Sequence, residues 1–262
     1  MGTLVGADGI GVAPGAKWIG CRNMESGDGR PSTYIECFQF FLAPTDLTGA
    51  NPDPNRRPHV VGNSYGCPPS ELCSANSLLA AMDNLRAAGI FMAVSAGNSG
   101  PSCSSINDPP AIYDSAITVG STDVNDGIAG NSSRGPVTLD GSNRRKPDLV
   151  APGVSVRSSY PTNQYVFSSG TSMASPHVAG AVALLWSAYS CLRRNVDATE
   201  MILQQTALHL TSAQGCGGDS SSAVPNNVFG FGRIDASAAF NNAPALADVS
   251  CHYIFPQIFK NP

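Results

Sequence analysis

Ser172 and its neighbours could carry nucleophilic chemistry. Ser172 follows Gly170 and Thr171 and lies at the predicted start of a long, buried helix. Backbone N–H groups at a helix N-terminus lack partners and the helix dipole is positive there, so negative charge on a nearby oxygen is stabilised. Gly170 would let the backbone of a bound molecule come close. The alternative is that Ser172 only caps the helix, which is a frequent role of serine at such a place.

The elements that would position Ser172 alternate along the chain. Short apolar runs with β-branched residues predict buried strands at residues 17–21, 59–63, 90–96 and 116–121. Helical spacing predicts helices over 74–88 and 171–189, and a capping box of Asp197 and Glu200 predicts the start of another. Strands that alternate with helices indicate one α/β domain, a three-layer α/β/α architecture with a mostly parallel sheet.

Composition and charge exclude several classes of protein. Of the 262 residues, 42% are hydrophobic and 13% are charged, which is typical of one globular domain with a sizeable core and not of a disordered chain. Fifteen basic and 19 acidic residues give a formal net charge of −4, which offers no basic surface to nucleic acid or to an anionic membrane. No run approaches the roughly 18 apolar residues of a membrane helix. We therefore expect neither nucleic acid nor a membrane as a partner.

The eight cysteines favour disulfide bonds. They are scattered over loop-like segments rich in Gly and Pro and form no CxxC pair, which argues against zinc-finger and thioredoxin-like sites. An even number in such segments suits an oxidising compartment, and reduced buried thiols are the alternative. The spacing does not determine which cysteines pair.

The segment around Ser172 resembles that of a known enzyme family. The active-site serine segment of the subtilisin-like serine proteases (subtilases) is closely similar to Ser169-Gly170-Thr171-Ser172-Met173-Ala174-Ser175-Pro176-His177. The resemblance implies that Ser172 is the nucleophile that attacks the scissile carbonyl. It also implies that His177 is a structural residue of the same helix and not the catalytic base.

Two further segments resemble the same family in order and spacing. The family's oxyanion segment is similar to Ser95-Ala96-Gly97-Asn98-Ser99-Gly100, which implies that the Asn98 amide and the N–H of Ser172 hold the oxyanion. On its own, Asn98 would more often occupy a left-handed turn after a strand. The edge segment, which pairs with the substrate backbone, is similar to Asn63-Ser64-Tyr65-Gly66. The resemblance thus implies an S1 pocket with Ser64, Tyr65 and Gly66 in one wall and Ala96 and Gly97 in the other.

The resemblance covers residues 1–247, which we interpret as the C-terminal portion of a subtilase catalytic domain. Residues 248–262 look like a terminal extension. Around residues 37–46 and 67–73 the chain looks most like the bacillopeptidase F type. The family implies a secreted monomer that acts on a polypeptide substrate without a cofactor. We expect no metal site, because no run of acidic calcium ligands is present. Tyr65 and the uncharged walls favour an apolar or aromatic P1 residue.

Two subtilase motifs do not occur in the chain. Family members bring Asp first, then His in a His-Gly-Thr-His context, and then Ser, and the first two motifs are missing. Met1-Gly2-Thr3 resembles the residues that directly follow the catalytic histidine, so we expect the chain to begin just after it and to lack the N-terminal strands of the fold. The resemblance would place the missing strand between those predicted at 17–21 and 59–63, which would leave a gap in the sheet.

Three functions stay open. The favoured one is a serine endopeptidase chain in which Ser172 acts through an Asp and a His from an absent N-terminal segment, so that this chain alone is inactive. The second is a catalytically inactive module that binds peptides. The third is an α/β-hydrolase esterase, because Ser172, Asp197 and His209 follow the order of that fold, although its Gly-x-Ser-x-Gly context is absent.

Overall fold

A parallel sheet with helices on both sides forms the centre of the structure, a computed structural model that describes residues 1–247. The terminal extension predicted over residues 248–262 lies outside the described residues. The strands are β1 (Met24–Glu25), β2 (Asp28–Gly29), β3 (Val60–Asn63), β4 (Phe91–Ser95), β5 (Ile117–Thr122), β6 (Leu149–Pro152), β7 (Val156–Tyr160) and β8 (Gln164–Ser168). The helices are α1 (Gly2–Val5), α2 (Pro31–Leu42), α3 (Leu79–Ala87), α4 (Thr171–Ala188), α5 (Val196–Thr206) and α6 (Ala236–Leu246).

The central sheet has the strand order β3-β4-β5-β6, and neighbouring strands are parallel throughout. Val60 pairs with Phe91, and Ala93 pairs with Ile117. Parallel strands place their carboxyl ends at the same edge of a sheet, so the residues that follow β3 and β4 lie side by side. Two antiparallel hairpins, β1-β2 and β7-β8, lie outside this sheet.

The two faces of the sheet are covered by different helices. Because side chains alternate along a strand, Phe91 and Ala93 pack with α4, α5 and α6, whereas Met92 and Val94 pack with α2 and α3. All residues of β4 are buried, as expected for a central strand with helices on both sides. The predicted three-layer α/β/α architecture with a mostly parallel sheet is confirmed.

Most of the predicted elements lie close to their predicted positions. Strands β3, β4 and β5 differ by one residue or less at each end from the predicted strands, and α4 ends one residue early. Helix α3 begins at Leu79 instead of residue 74, because Ser74 and Ser77 form a local turn. The Ser74 N–H donates to the Ser77 hydroxyl at 2.8 Å, a bond that competes with helix formation. In residues 1–247 no helix combines the length and the apolar character that crossing a membrane requires.

Residues 17–21 form no strand, so that prediction is wrong. They have no strand partner among the described residues, and Trp18 and Ile19 are 63% and 42% exposed. An apolar run becomes a strand only where a neighbouring backbone accepts its hydrogen bonds and a packed face buries its side chains. Within residues 1–247, β3 is an edge strand of the central sheet, and residues 17–21 do not cover it.

The predicted capping box at the start of α5 is also wrong. The N-cap is Asn195, whose side-chain oxygen accepts a hydrogen bond from the Ala198 N–H at 3.1 Å. Asp197 and Glu200 instead pair with Arg86 of α3, and Glu200 Oε2 lies 2.6 Å from Arg86 Nη2. The two acidic residues therefore tie α5 to α3.

Disulfide bonds are present, as the cysteine pattern predicted. They join Cys21 to Cys37, Cys67 to Cys73 and Cys103 to Cys216, and no cysteine in the described part of the chain is free. The Cys21–Cys37 bond attaches the irregular residues 17–21 to α2. The Cys67–Cys73 bond closes a short loop directly after the edge segment. Cys251 lies outside the described residues.

Candidate active site

Ser172 is the second residue of α4. The N-cap of the helix is Gly170, and the first helical residue is Thr171. Gly170 has φ 147° and ψ 167°, a conformation that residues with a side chain rarely adopt. Its N–H donates to the Gly153 carbonyl at 2.8 Å, which fixes the entry into the helix. The N–H of Ser172 has no acceptor in residues 1–247, as expected for a first turn. The helix therefore presents a free N–H beside the partly buried Ser172 side chain.

Reciprocal hydrogen bonds join Ser172 to the end of β3. The Ser172 hydroxyl donates to the Ser64 carbonyl at 3.0 Å, and the Ser64 hydroxyl donates to the Ser172 carbonyl at 3.1 Å. The Ser64 hydroxyl also lies 3.0 Å from the hydroxyl of Ser175, one turn further along α4. These contacts hold the edge segment against the helix N-terminus.

Asn98 lies beside the same helix N-terminus, in the loop that follows β4. Its Oδ1 accepts a hydrogen bond from the Thr171 N–H at 3.0 Å and lies 3.2 Å from the Thr171 hydroxyl. A Cβ placed on Gly170 would lie 3.4 Å from Asn98 Nδ2, so this amino group faces the backbone just before Ser172. Because the oxygen side of the amide is occupied, the amino side is available as a donor at the exposed surface.

Thr171 fixes the loop that carries Asn98. Its side chain is fully buried, and its hydroxyl accepts a hydrogen bond from the Gly97 N–H at 3.2 Å. The Gly97 carbonyl lies 3.2 Å away and is one of two acceptors for the hydroxyl proton. Ala96 is also buried, and its N–H donates to the Val119 carbonyl of β5 at 3.0 Å. The segment Ala96 to Asn98 is therefore held by both α4 and the sheet.

The Tyr65 side chain packs against α2. Its ring stacks on Tyr34 of α2, with ring centroids 4.8 Å apart and an interplanar angle of 16°. Burial raises the pKa of the Tyr65 hydroxyl. The Tyr34 hydroxyl in turn donates to Glu71 Oε2 at 2.6 Å. The side chain of Tyr65 is therefore engaged with the α2 layer, and Gly66 is the residue of the edge segment without a side chain.

Asp108 lies near the edge segment, and no sequence pattern indicated it. It lies in the loop between β4 and β5, and a Cβ placed on Gly66 would be only 3.0 Å from Asp108 Cβ. The Cys67 N–H donates to the Pro109 carbonyl at 2.7 Å, which joins the two loops. Gly66 and Asp108 are 42 positions apart in the sequence, and no periodic pattern connects them.

The histidines of the described chain do not hydrogen-bond to Ser172. His177 Nδ1 lies 2.9 Å from the Met173 carbonyl within α4, and burial lowers the pKa of its ring. His59 has its ring edge-on to Trp186 at 6.3 Å, and burial together with nearby arginines lowers its pKa. His209 is exposed, and His252 lies outside the described residues. The esterase alternative would need Asp197 near Ser172, whereas Asp197 pairs with Arg86.

Metal-ligating side chains do not gather within residues 1–247. No group of three or more His, Cys, Asp or Glu residues there could hold a metal ion. The expectation that the chain has no metal site and no cofactor stays a prediction.

Similarity to known proteins identifies the family. The model of the subtilase family matches residues 2–232. Bacillopeptidase F of Bacillus subtilis (strain 168) is 39% identical over 260 residues, which are 94% of this chain and 17% of that protein. Subtilisin DY of Bacillus licheniformis is 44% identical over 134 residues, which are 51% of this chain and 44% of the relative. Subtilisin Savinase of Lederbergia lenta is 32% identical over 237 residues, 88% of this chain and 70% of the relative.

A solved structure shares the fold. The Prenylagaramide maturation protease PagA superposes with a TM-score of 0.61 at 19% sequence identity, over 84% of this chain and 70% of that chain. The chain spans less than half the length of Bacillopeptidase F and of Subtilisin DY. The family match nevertheless covers all four strands of the central sheet, the helix that carries Ser172 and the loop that carries Asn98. The chain therefore belongs to the subtilase family.

Proposed function

We propose that residues 1–247 form the serine-bearing part of a secreted serine endopeptidase, in which Ser172 attacks the scissile carbonyl. The Asn98 amino group and the N–H of Ser172 would form the oxyanion hole. The hydrogen bond from the Thr171 N–H to Asn98 Oδ1 at 3.0 Å is the observation that carries the proposal. It fixes the amide with its donor side unoccupied, beside a helix N-terminus whose N–H is also free. Donors held in advance are the arrangement that stabilises a developing oxyanion.

Ser172 needs a general base from a segment other than residues 1–247. Its hydroxyl donates to the Ser64 carbonyl, and a carbonyl oxygen does not take up a proton at neutral pH. A serine hydroxyl is a weak nucleophile until a base removes its proton and later protonates the leaving amine. We propose that the Asp and His of the subtilase family perform this role. This chain alone would then have only residual activity.

The substrate is a polypeptide bound between the two segments that follow β3 and β4. Ser64, Tyr65 and Gly66 would supply the backbone that pairs with the extended substrate, and Ala96 and Gly97 would form the opposite wall of the S1 pocket. The disulfide bonds support an extracellular, oxidising location. We propose a monomer that works without a cofactor.

The proposal is tested by hydrolysis of a fluorogenic casein. The chain is mixed with the Asp- and His-bearing segment of Bacillopeptidase F, and activity should appear only in the mixture. Ser172→Ala should abolish it. Asn98→Ala should lower it by roughly 10²–10³, the loss that removal of one such donor causes in subtilisin. Asn84→Ala, at an exposed asparagine of α3, is the matched control and should retain activity. Hydrolysis that survives Ser172→Ala would contradict the proposal.

A catalytically inactive peptide-binding module is the second candidate. It is favoured by the engagement of the Ser172 hydroxyl with the Ser64 carbonyl, which ties the nucleophile to the edge segment. Under this alternative the mixture binds extended peptides without hydrolysing them, and Ser172→Ala leaves peptide affinity unchanged.

A further inference from the structure

Asp108 has a carboxylate that no described group neutralises. It is partly buried, and no residue within 1–247 forms an ion pair or a hydrogen bond with its side chain. Burial and repulsion from Glu71 raise the pKa of Asp108 above its usual value. Carboxylates removed from water normally have a cation or hydrogen-bond donors beside them. Asp108 is therefore available to a charged ligand.

The position of Asp108 is fixed against the edge segment. A Cβ placed on Gly66 would lie 3.0 Å from Asp108 Cβ and 3.5 Å from its Oδ2, so the carboxylate occupies the space that the glycine leaves. The Pro109 carbonyl accepts the Cys67 N–H at 2.7 Å, and the Asp108 carbonyl accepts the Ala111 N–H at 3.1 Å. These bonds hold the carboxylate beside the wall that we assign to the S1 pocket.

The neighbouring polar side chains are already engaged. Glu71 accepts hydrogen bonds from the Tyr34 hydroxyl at 2.6 Å and from the Gly29 N–H at 3.1 Å. The Tyr65 ring is stacked on Tyr34. Asp108 is thus the acidic residue beside Gly66 whose side chain has no partner in the described structure.

We propose that Asp108 makes the S1 pocket selective for a basic P1 side chain, arginine or lysine. This differs from the apolar or aromatic P1 residue that the uncharged walls favoured, and it rests on the proposed function because Gly66 must line a substrate pocket. A guanidinium beside the carboxylate would form a charge-assisted hydrogen bond and supply the missing countercharge. An apolar P1 side chain would instead remove the carboxylate from water without giving it a partner.

Peptide binding to the whole chain tests the inference without requiring catalysis. Two fluorescent peptides with a reduced bond after P1 are compared by anisotropy, one with arginine and one with citrulline, which has arginine's shape without its charge. The wild type should bind the arginine peptide at least about tenfold more tightly, because hydrogen bonds to charged groups contribute that much or more. Asp108→Asn should bring the ratio to about one. Asp83→Asn, which removes an exposed carboxylate of α3, should leave it unchanged.

A charge reversal keeps the test decisive if Asp108→Asn folds poorly. Asp108→Lys should shift the preference to a P1 glutamate peptide, which an unfolded variant cannot do. Equal affinity for arginine and citrulline, a preference that survives Asp108→Asn, or no binding of either peptide would overturn the inference. Chemical labelling of Ser172 is the separate readout of the proposed function. Labelling in the presence of the Asp- and His-bearing segment of Bacillopeptidase F, without an arginine preference, would reject only the role of Asp108. Absence of both in that mixture would reject the two proposals together.

Discussion

Gly170→Ala should destabilise the protein through the backbone at the start of α4. Gly170 has φ 147° and ψ 167°, a region that is essentially restricted to glycine, and an alanine held there costs about 1–3 kcal/mol. The added Cβ would also lie 3.3 Å from Asn98 Oδ1, which is a tighter contact than most methyl groups make. The free energy of unfolding should therefore fall by at least about 1 kcal/mol.

Urea denaturation with the disulfides intact measures this effect. Gly15→Ala is the matched control, because a Cβ at Gly15 meets nothing within 4 Å, and it should change stability by less than about 0.5 kcal/mol. Measuring Gly170→Ala in an Asn98→Ala background separates the two causes. The penalty from backbone strain should persist there, since the asparagine contact is gone while the dihedral angles remain.

Two results would contradict this explanation of the glycine at position 170. If Gly170→Ala is as stable as Gly15→Ala, the backbone at residue 170 is not restricted to glycine. If the penalty disappears in the Asn98→Ala background, the contact with the amide is the whole cause and the strain argument fails. In the mixture with the Asp- and His-bearing segment, Gly170→Ala should also slow hydrolysis, because the new methyl group would displace the Asn98 amide that we propose as the oxyanion donor.

Further predictions concern the scaffold. Asn195→Ala should lower the stability of α5 by about 1 kcal/mol in urea denaturation, and Asp197→Ala by less, because only Asn195 caps the helix. Equal losses would contradict this assignment. In the chain-entropy model, replacing both cysteines of the Cys103–Cys216 bond, with a separation of 113, should cost about 5 kcal/mol against about 2 kcal/mol for the Cys67–Cys73 bond, with a separation of 6. A larger loss of stability on removing the Cys67–Cys73 bond would contradict the chain-entropy model. Hydrogen bonds from Thr48, Asn51 and Ala50 lower the pKa of Asp46 to about 2 from its usual 3.8, so the order of this loop should persist as pH falls until about 2. An NMR titration that gives Asp46 its usual pKa would contradict these bonds.

Three of the four strands of the central sheet, β3, β4 and β5, could be predicted from the sequence because their signal is local, whereas β6 (Leu149–Pro152) was not predicted. The apolar run that contains β4 predicts a fully buried strand, and all residues of β4 are buried in the structure. The small, apolar surface of α4 likewise predicts a buried helix. Each of these patterns lies within one short segment, so the type and burial of the element could be predicted without knowing its neighbours.

The predictions that failed depend on distant residues. Residues 17–21 have a strand-like composition but no neighbouring strand in residues 1–247, so they stay irregular and are held by Cys37. By residue type, Asp197 could cap a helix as well as Asn195. In the structure Asp197 pairs with Arg86, 111 positions away, and Asn195 is the cap. The sequence likewise contained no signal for the contact between Gly66 and Asp108, because the two loops meet only in the folded sheet.

We propose that Ser172 is a nucleophile and that its base lies outside residues 1–247. Fluorophosphonate labelling followed by peptide mapping tests both points, with Ser172→Ala as the control. We predict no labelling of the chain alone and labelling at Ser172 after the Asp- and His-bearing segment of Bacillopeptidase F is added. Labelling of the chain alone would mean that a residue of this chain already acts as the base. Failure of the added segment to produce labelling at Ser172 would contradict the assignment of Ser172 as a nucleophile that this segment activates.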